Sequence, residues 1–287
     1  MRDILARLRK YQIRIRKAVT TQMHGDFHSV FKGNGLEFSD LRAYQYGDDV
    51  RTIDWSSSAK GHGTFVKLFR EEREQTVFFL VDVSASQQVG RRGQAKIDLA
   101  KELCGVLALS ALQEKSQVGL VCFSDQKEKY VPPGKGLQQG YLLVSTLFKV
   151  EPQSLQTDLK SAIGFVLNLL RRRSVVVVIS DFIDRDYEPT LKAMAKKHDL
   201  VVIHLLDRRE TALPRLGIIP VFDQESGRMV WRNTSSPHFQ RRMKMAFQTK
   251  QTDLERLCRR NEANYLAIHA EEDFVPLLVK LFRVRNA

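Results

Sequence analysis

Apolar residues in this chain follow two alternating rhythms. Short, almost uninterrupted hydrophobic runs occur at Thr76–Val81, Val118–Phe123, Val175–Ile179 and Leu200–Leu205. Between them lie longer stretches in which apolar positions recur every three or four residues. The runs predict strands and the stretches predict helices. Val175–Ile179 is β-branched throughout, as suits a strand covered on both faces. Helices are expected over Gln94–Gln113, Gly140–Phe148, Asp158–Leu170 and Glu188–Lys197, the first of them apolar on most sides. Phe239–Asn261 and Phe274–Arg283 add two more, around a last strand at Tyr265–Ile268. Lys129–Val131 reads as a short strand stopped by Pro132-Pro133-Gly134. Ile218–Phe222 and Met229–Trp231, joined through Gln224-Glu225-Ser226-Gly227, read as a hairpin. Strands alternating with helices imply an α/β fold, a doubly wound, mostly parallel, Rossmann-type sheet with a β-hairpin insertion.

Upstream of Gln75 the rhythm is lost. Ile4, Leu8, Tyr11, Ile15 and Val19 share one face of a helix whose other faces are basic. Gly33–Trp55 mixes glycines, aromatics, the acids Glu37, Asp40, Asp48, Asp49 and Asp54, and the bases Arg42 and Arg51 without a clear period. It reads as a loop-rich extension held by specific contacts. The expected organisation is residues 1–73 packed on a main domain over residues 74–287.

Composition narrows the class. The longest apolar runs, Val77–Val81 and Val175–Ile179, fall far short of the roughly 20 residues a membrane span needs. No long apolar run follows the basic start, so a secretory signal is not expected. Cys104, Cys122 and Cys258 are scattered and odd in number, which suits a reducing, cytoplasmic setting. The net charge of +13 favours acidic partners. Charge peaks in Arg2–Lys17 and Arg241–Arg260. These read as solvated helix faces; the first is also a candidate for peripheral attachment to an anionic inner-membrane surface. Nucleic acid is not the expected partner, because no known module or aromatic interleaving accompanies the charge.

Ligands of open parallel sheets bind outside the carboxyl ends of the strands. Polar residues there are Asp82-Val83-Ser84-Ala85-Ser86, Ser124-Asp125, Ser180-Asp181 and, between two helices, Gln156-Thr157-Asp158. Asp-x-Ser-x-Ser places three oxygen side chains at alternate positions of one loop. With Thr157 and Asp181 they form the kind of hard-oxygen set that holds Mg²⁺ or Mn²⁺. The competing reading is that Asp82 and the serines cap the following helix.

These residues resemble the metal-ion-dependent adhesion site of von Willebrand factor A domains, where one loop gives an Asp and two Ser, a second a Thr and a third an Asp. The resemblance assigns Asp82, Ser84, Ser86, Thr157 and Asp181 as metal ligands and implies that a partner's carboxylate completes the shell. The upstream residues Gly33, Gly35, Glu37, Phe38, Asp40, Arg42 and Tyr44, then Gly47-Asp48-Asp49, Arg51 and Ile53-Asp54-Trp55, then Ala59-Lys60 and Glu71-Glu72-Arg73-Glu74, resemble the signature of the domain of unknown function 58 family. That bacterial family has a von Willebrand A-like domain and is often linked with MoxR-type AAA+ ATPases. The resemblance implies a binding or adaptor protein whose partner is such an ATPase, in a chaperone-like or assembly role. Two positions depart from the pattern: Gln87 stands where a methionine often follows the last serine, and Tyr46 where a proline often precedes the Gly47 turn.

Catalysis is not expected. An aspartyl phosphotransferase wants a second carboxylate where Ser84 stands. No Gly-x-Ser-x-Gly elbow or phosphate-binding Gly-rich loop is present. Metal-assisted hydrolysis would have Asp125 as its only obvious base. His24 and His28 have a zinc-like spacing, but Gly25 weakens the helix they would need.

Overall fold

The structure, a computed structural model, describes residues 2–22, 33–46, 48–59, 63–73, 75–88, 90–91, 94–211, 216–223 and 228–286. His24, His28, the Gly47 turn and the Gln224–Gly227 turn lie outside them. The N-terminal part holds α1 (Arg2–Gln22), β1 (Gly33–Ala43), α2 (Trp55–Ser58) and β2 (Phe65–Arg73). Then come β3 (Thr76–Asp82), β4 (Gly90–Arg91), β5 (Gln94–Ala95), α3 (Lys96–Gln113), β6 (Gln117–Phe123), β7 (Lys127–Gly134), α4 (Gly136–Lys149) and α5 (Leu159–Leu169). The remainder is β8 (Val175–Ser180), α6 (Glu188–Lys197), β9 (Asp199–Leu206), α7 (Arg208–Thr211), β10 (Ile218–Asp223), β11 (Arg228–Asn233), α8 (Pro237–Arg260), β12 (Asn264–His269) and α9 (Phe274–Asn286).

Six strands form the central sheet in the order β12-β9-β8-β3-β6-β7, all parallel except β7. Counted in chain order within the sheet this is the doubly wound 3-2-1-4-5-6 arrangement. Alternate strand residues feed two cores. Val77, Phe79 and Val81 pack with α3, α4 and α9 on one face. Phe78 and Leu80 pack with α5 and α6, and with Leu254 and Cys258 of α8, on the other. Both faces are therefore covered, which is why the strands read as continuous apolar runs rather than alternations. Gly119 of β6 pairs with Phe78, and a Cβ there would lie 2.6 Å from the Phe78 ring, so the close approach needs glycine.

β7 is longer than the Lys129–Val131 strand expected from the sequence and carries Pro132 and Pro133 within it. The prolines leave the ladder short of donors. Gln139 of α4 compensates: its Nε2 donates to Val118 O at 2.8 Å and to Pro132 O at 2.7 Å.

The N-terminal helix docks through Leu8, which is fully buried between α3 and the rest of that core, with Ile4 and Leu5 packed alongside. A Cβ at Gly105 of α3 would come within 2.9 Å of the Leu8 side chain, so the glycine makes the seat. Arg7 pairs with Glu102 at 3.1 Å, and Arg14 with Asp273. The side chains of Tyr11, Ile15 and Val19 lie outside the described ones.

Gly33–Trp55 is not loop throughout: β1 pairs antiparallel with β2. Two register shifts, between Gly33 and Leu36 and between Phe38 and Asp40, break the period of two that would have revealed a strand. The signature acids that follow serve local structure. Asp48 takes both Arg42 nitrogens, at 2.6 and 2.8 Å, and the Gln45 amide at 2.9 Å. The Arg42 hydrogen bond holds the Asp48 carboxyl below its ordinary range. Asp49 accepts from Arg51 N, and Asp54 caps α2 by accepting from Ser56 N and Ser57 N.

Candidate functional site

Successive connections leave β3 and β8 on opposite faces of the sheet: α3 lies with one core and α6 with the other. The carboxyl ends of these adjacent strands therefore open the crevice in which doubly wound folds bind ligands. Asp82 ends β3 and Asp181 follows β8.

Asp82 is fully buried, and both of its oxygens are engaged. Oδ1 accepts from Ser84 N at 2.9 Å. Oδ2 accepts from Ser180 Oγ at 2.6 Å and from Gln87 Nε2 at 3.3 Å. Ser84 is buried and Ser86 half-buried, with their Oγ atoms 3.0 Å apart. Asp82 is not spent on capping α3, because Ala95 N at that helix start is met by Asp98 Oδ2 at 3.2 Å. Burial and the charge of Asp181 push the Asp82 carboxyl up to about 6, against the pull of its Ser180 and Ser84 hydrogen bonds. Gln87 is buried with Nε2 turned to Asp82, and its Oε1 has no hydrogen-bond partner among the described residues.

Asp181 is held from three sides. Lys96 Nζ donates to Oδ2 at 2.6 Å, both side chains being out of contact with solvent. Ile183 N donates to Oδ1 at 3.2 Å. His204 Nε2 lies 3.1 Å from Asp181 O, and its Nδ1 lies 2.8 Å from the Tyr265 hydroxyl. A carbonyl only accepts, so Nε2 carries the proton and Nδ1 accepts from Tyr265. Burial pushes the His204 imidazole down to about 4, which keeps it neutral in this relay. The next residue, Phe182, adopts a left-handed φ of 53°, strained for a bulky side chain, and its ring packs edge-on against His204.

The loop that carries Thr157 is tied to the crevice loops by the residues on either side of it. Ala85 N donates to Leu155 O at 3.1 Å, Asp158 N to Ser124 O at 3.1 Å, and Leu159 N to Asp184 Oδ2 at 2.7 Å. Glu128 of β7 adds a further clamp by accepting from Ser124 Oγ, Gln153 N and Ser154 N. Thr157 itself is half-buried. The bonds tying this loop to the site are thus those of the residues around it. Asp125 is exposed on the neighbouring loop, with a 3.4 Å contact from Ser124 Oγ.

Sequence reasoning gave no role to Lys96, Ser180, Glu128 or the His204–Tyr265 pair. Lys96 carried a signal: it stands on the stripe of Leu99, Ala100, Leu103, Cys104 and Leu107, all buried. A charge on such a stripe must be paired inside the protein.

One pair within the expected donor set has the spacing of neighbouring ligands on a small hard cation. Adjacent ligands of an octahedral Mg²⁺ at about 2.1 Å lie about 3.0 Å apart. The two serine hydroxyls have that separation. Gln87 Oε1 offers a leftover buried acceptor for a cation-bound water. Among the described residues, no three His, Cys, Asp or Glu side chains converge as metal ligands, so hydroxyls must supply part of any shell.

The family model described as "Protein of unknown function DUF58" matches residues 40–253, more than half of the chain. The chain belongs to that family. Relatives of this chain include Uncharacterized protein Rv1480 of Mycobacterium tuberculosis (strain ATCC 25618 / H37Rv), 27% identical over 286 residues, covering 99% of this chain and 90% of the relative. Uncharacterized protein MAV169 of Mycobacterium avium is 27% identical over 159 residues, covering 54% of this chain and 94% of the relative. Among solved structures, the conserved hypothetical protein BatB from Bacteroides thetaiotaomicron is 14% identical, with a TM-score of 0.45 over 74% of this chain and 98% of that one. The SpRpn10 VWA domain is 12% identical, with a TM-score of 0.38 over 73% of this chain and 94% of that one. The strand order and the position of the crevice make this DUF58 chain a doubly wound, mostly parallel α/β protein. No helix among the described residues is long and apolar enough to cross a membrane.

Proposed function

We propose that this DUF58 protein is a divalent-cation-dependent binding or adaptor protein, not an enzyme. Its crevice would hold Mg²⁺ or Mn²⁺ through Asp82, Ser84, Ser86, Thr157 and Asp181. The observation that carries the reading is the convergence of two buried carboxylates with a pair of hydroxyls 3.0 Å apart at the switch point of the sheet. When bound, the ion supplies an electrophilic centre for a carboxylate of the partner. The protein supplies the rest: Ser180, Gln87 and the Ser84 amide orient Asp82, and Lys96 and Ile183 N orient Asp181. The partner proposed from the family resemblance is a MoxR-type AAA+ ATPase, in a cytoplasmic chaperone-like or assembly role. Neutral hydroxyl ligands suit this use, since they leave the ion short of negative charge.

The test uses the full chain. A ligand that binds only the folded state stabilises it, by about 2.7 kcal/mol at a hundredfold excess over its Kd. Millimolar Mg²⁺ should therefore raise the melting temperature of the wild type but not of Asp82→Ala. Capture of a MoxR-type ATPase should need both Mg²⁺ and Asp82. No calorimetric ion binding to the wild type, together with unchanged capture by Asp82→Ala, would refute the reading.

A further inference from the structure

Lys96 is the least expected residue in the crevice. It opens α3 on the buried stripe, its side chain has no solvent contact, and its Nζ lies 2.6 Å from Asp181 Oδ2. A buried ion pair is a poor way to gain stability, because desolvation of both ions offsets their attraction. Its consequence here is local charge. Asp82 and Asp181 alone would give the site two negative charges, and a divalent ion would neutralise it. Lys96 brings the buried trio of Asp82, Asp181 and Lys96 to one net negative charge, and a bound divalent ion leaves that trio one positive charge in excess. The excess sits in a low-dielectric crevice where it is poorly screened. An incoming carboxylate restores neutrality.

We infer that Lys96 is a built-in counter-cation that weakens the intrinsic hold of the site on a divalent ion and makes ion binding depend on a carboxylate from outside. This rests on the ion site proposed above. It adds a regulatory property to that site: ion and partner acid bind cooperatively, each raising the affinity of the other by the same factor. Without a partner the crevice loses its ion readily. With an acidic partner docked, both stay. Lys96 acts through Asp181 and the charge of the site, and is a positioning residue with no direct claim on the ion.

Calorimetric titration of the full chain with Mg²⁺ or Mn²⁺ tests this, in buffer free of carboxylates and again with sodium acetate at matched ionic strength. For the wild type, acetate should tighten ion binding by about tenfold, within the usual range of coupling between sites. Lys96→Met should bind the ion about tenfold more tightly than wild type without acetate, and acetate should add little. Wild-type ion affinity indifferent to acetate overturns the inference without any variant, so a Lys96→Met that fails to fold does not rescue it. A folded Lys96→Met with wild-type ion affinity also overturns it and leaves the ion site standing. Absence of ion binding to both proteins removes the ion site and this inference together.

Discussion

Burial and the neighbouring charge of Asp181 push the Asp82 carboxyl from 3.8 up to about 6, while burial pushes His204 from 6.5 down to about 4. The two act oppositely on stability in one pH window. A raised acid contributes stability that is present below its unfolded value and lost as pH rises through about 6. A lowered base contributes stability that is present above 6.5 and lost as pH falls toward about 4. Asp82→Asn removes the first and leaves the second. In chelator-treated protein, the wild type should therefore lose stability relative to Asp82→Asn between pH 4 and pH 7, by on the order of 2 kcal/mol. Thermal melts of the two proteins across this range check it; curves that stay parallel would mean that Asp82 is neither strained nor proton-binding. The position of Asp82, Ser84, Ser86 and Asp181 at the carboxyl ends of two strands was legible in the sequence, because apolar runs locate strand ends; Thr157, between helices, had no such marker. Their partners were not. The Ser180 to Asp82 bond spans 98 residues and the Lys96 to Asp181 bond 85, and no local pattern encodes contacts that distant.

At the scale of elements, the strands and helices of the main sheet were legible to within a few residues, since both of its faces are buried and the apolar rhythm is undiluted. β1 and β2 were not. Their bulged pairing scrambles the alternation, and among the described residues their sheet has no third strand. The docking of α1 was half legible. The sequence favoured docking of this amphipathic basic helix on the protein over an anionic membrane without showing where it sits, and Leu8 on Gly105 is the seat. Leu8→Ala should remove about 2–5 kcal/mol of packing. Hydrogen exchange in solution should then speed up throughout α1 while β3 and β8 remain protected. An α1 that exchanges rapidly in the wild type and slows only on anionic vesicles would return the helix to the membrane reading.

For the whole molecule, the net charge of +13 acts at longer range than any contact in the crevice. Net charge speeds encounter with an oppositely charged partner and is screened by salt, whereas buried contacts govern how long the complex lasts. Association with an acidic partner should therefore slow as salt rises from 50 to 300 mM, with dissociation little changed. Withdrawal of Mg²⁺ should do the reverse. Surface plasmon resonance separates the two; a dissociation rate indifferent to Mg²⁺ would place the partner's grip outside the crevice. The shape of the molecule also limits how a partner can hold on. β7 forms one border of the sheet, and neighbouring residues of a strand point their amides to opposite sides. Of Pro132 and Pro133, one thus leaves a gap toward β6, which Gln139 fills, and the other leaves a gap toward solvent. Lys127 and Lys129 are exposed along the same border. A second chain meets a broken backbone ladder and a row of charge on this side, which works against fibre-like growth from copy to copy there. Assembly at this end of the protein is thereby steered toward grip by side chains.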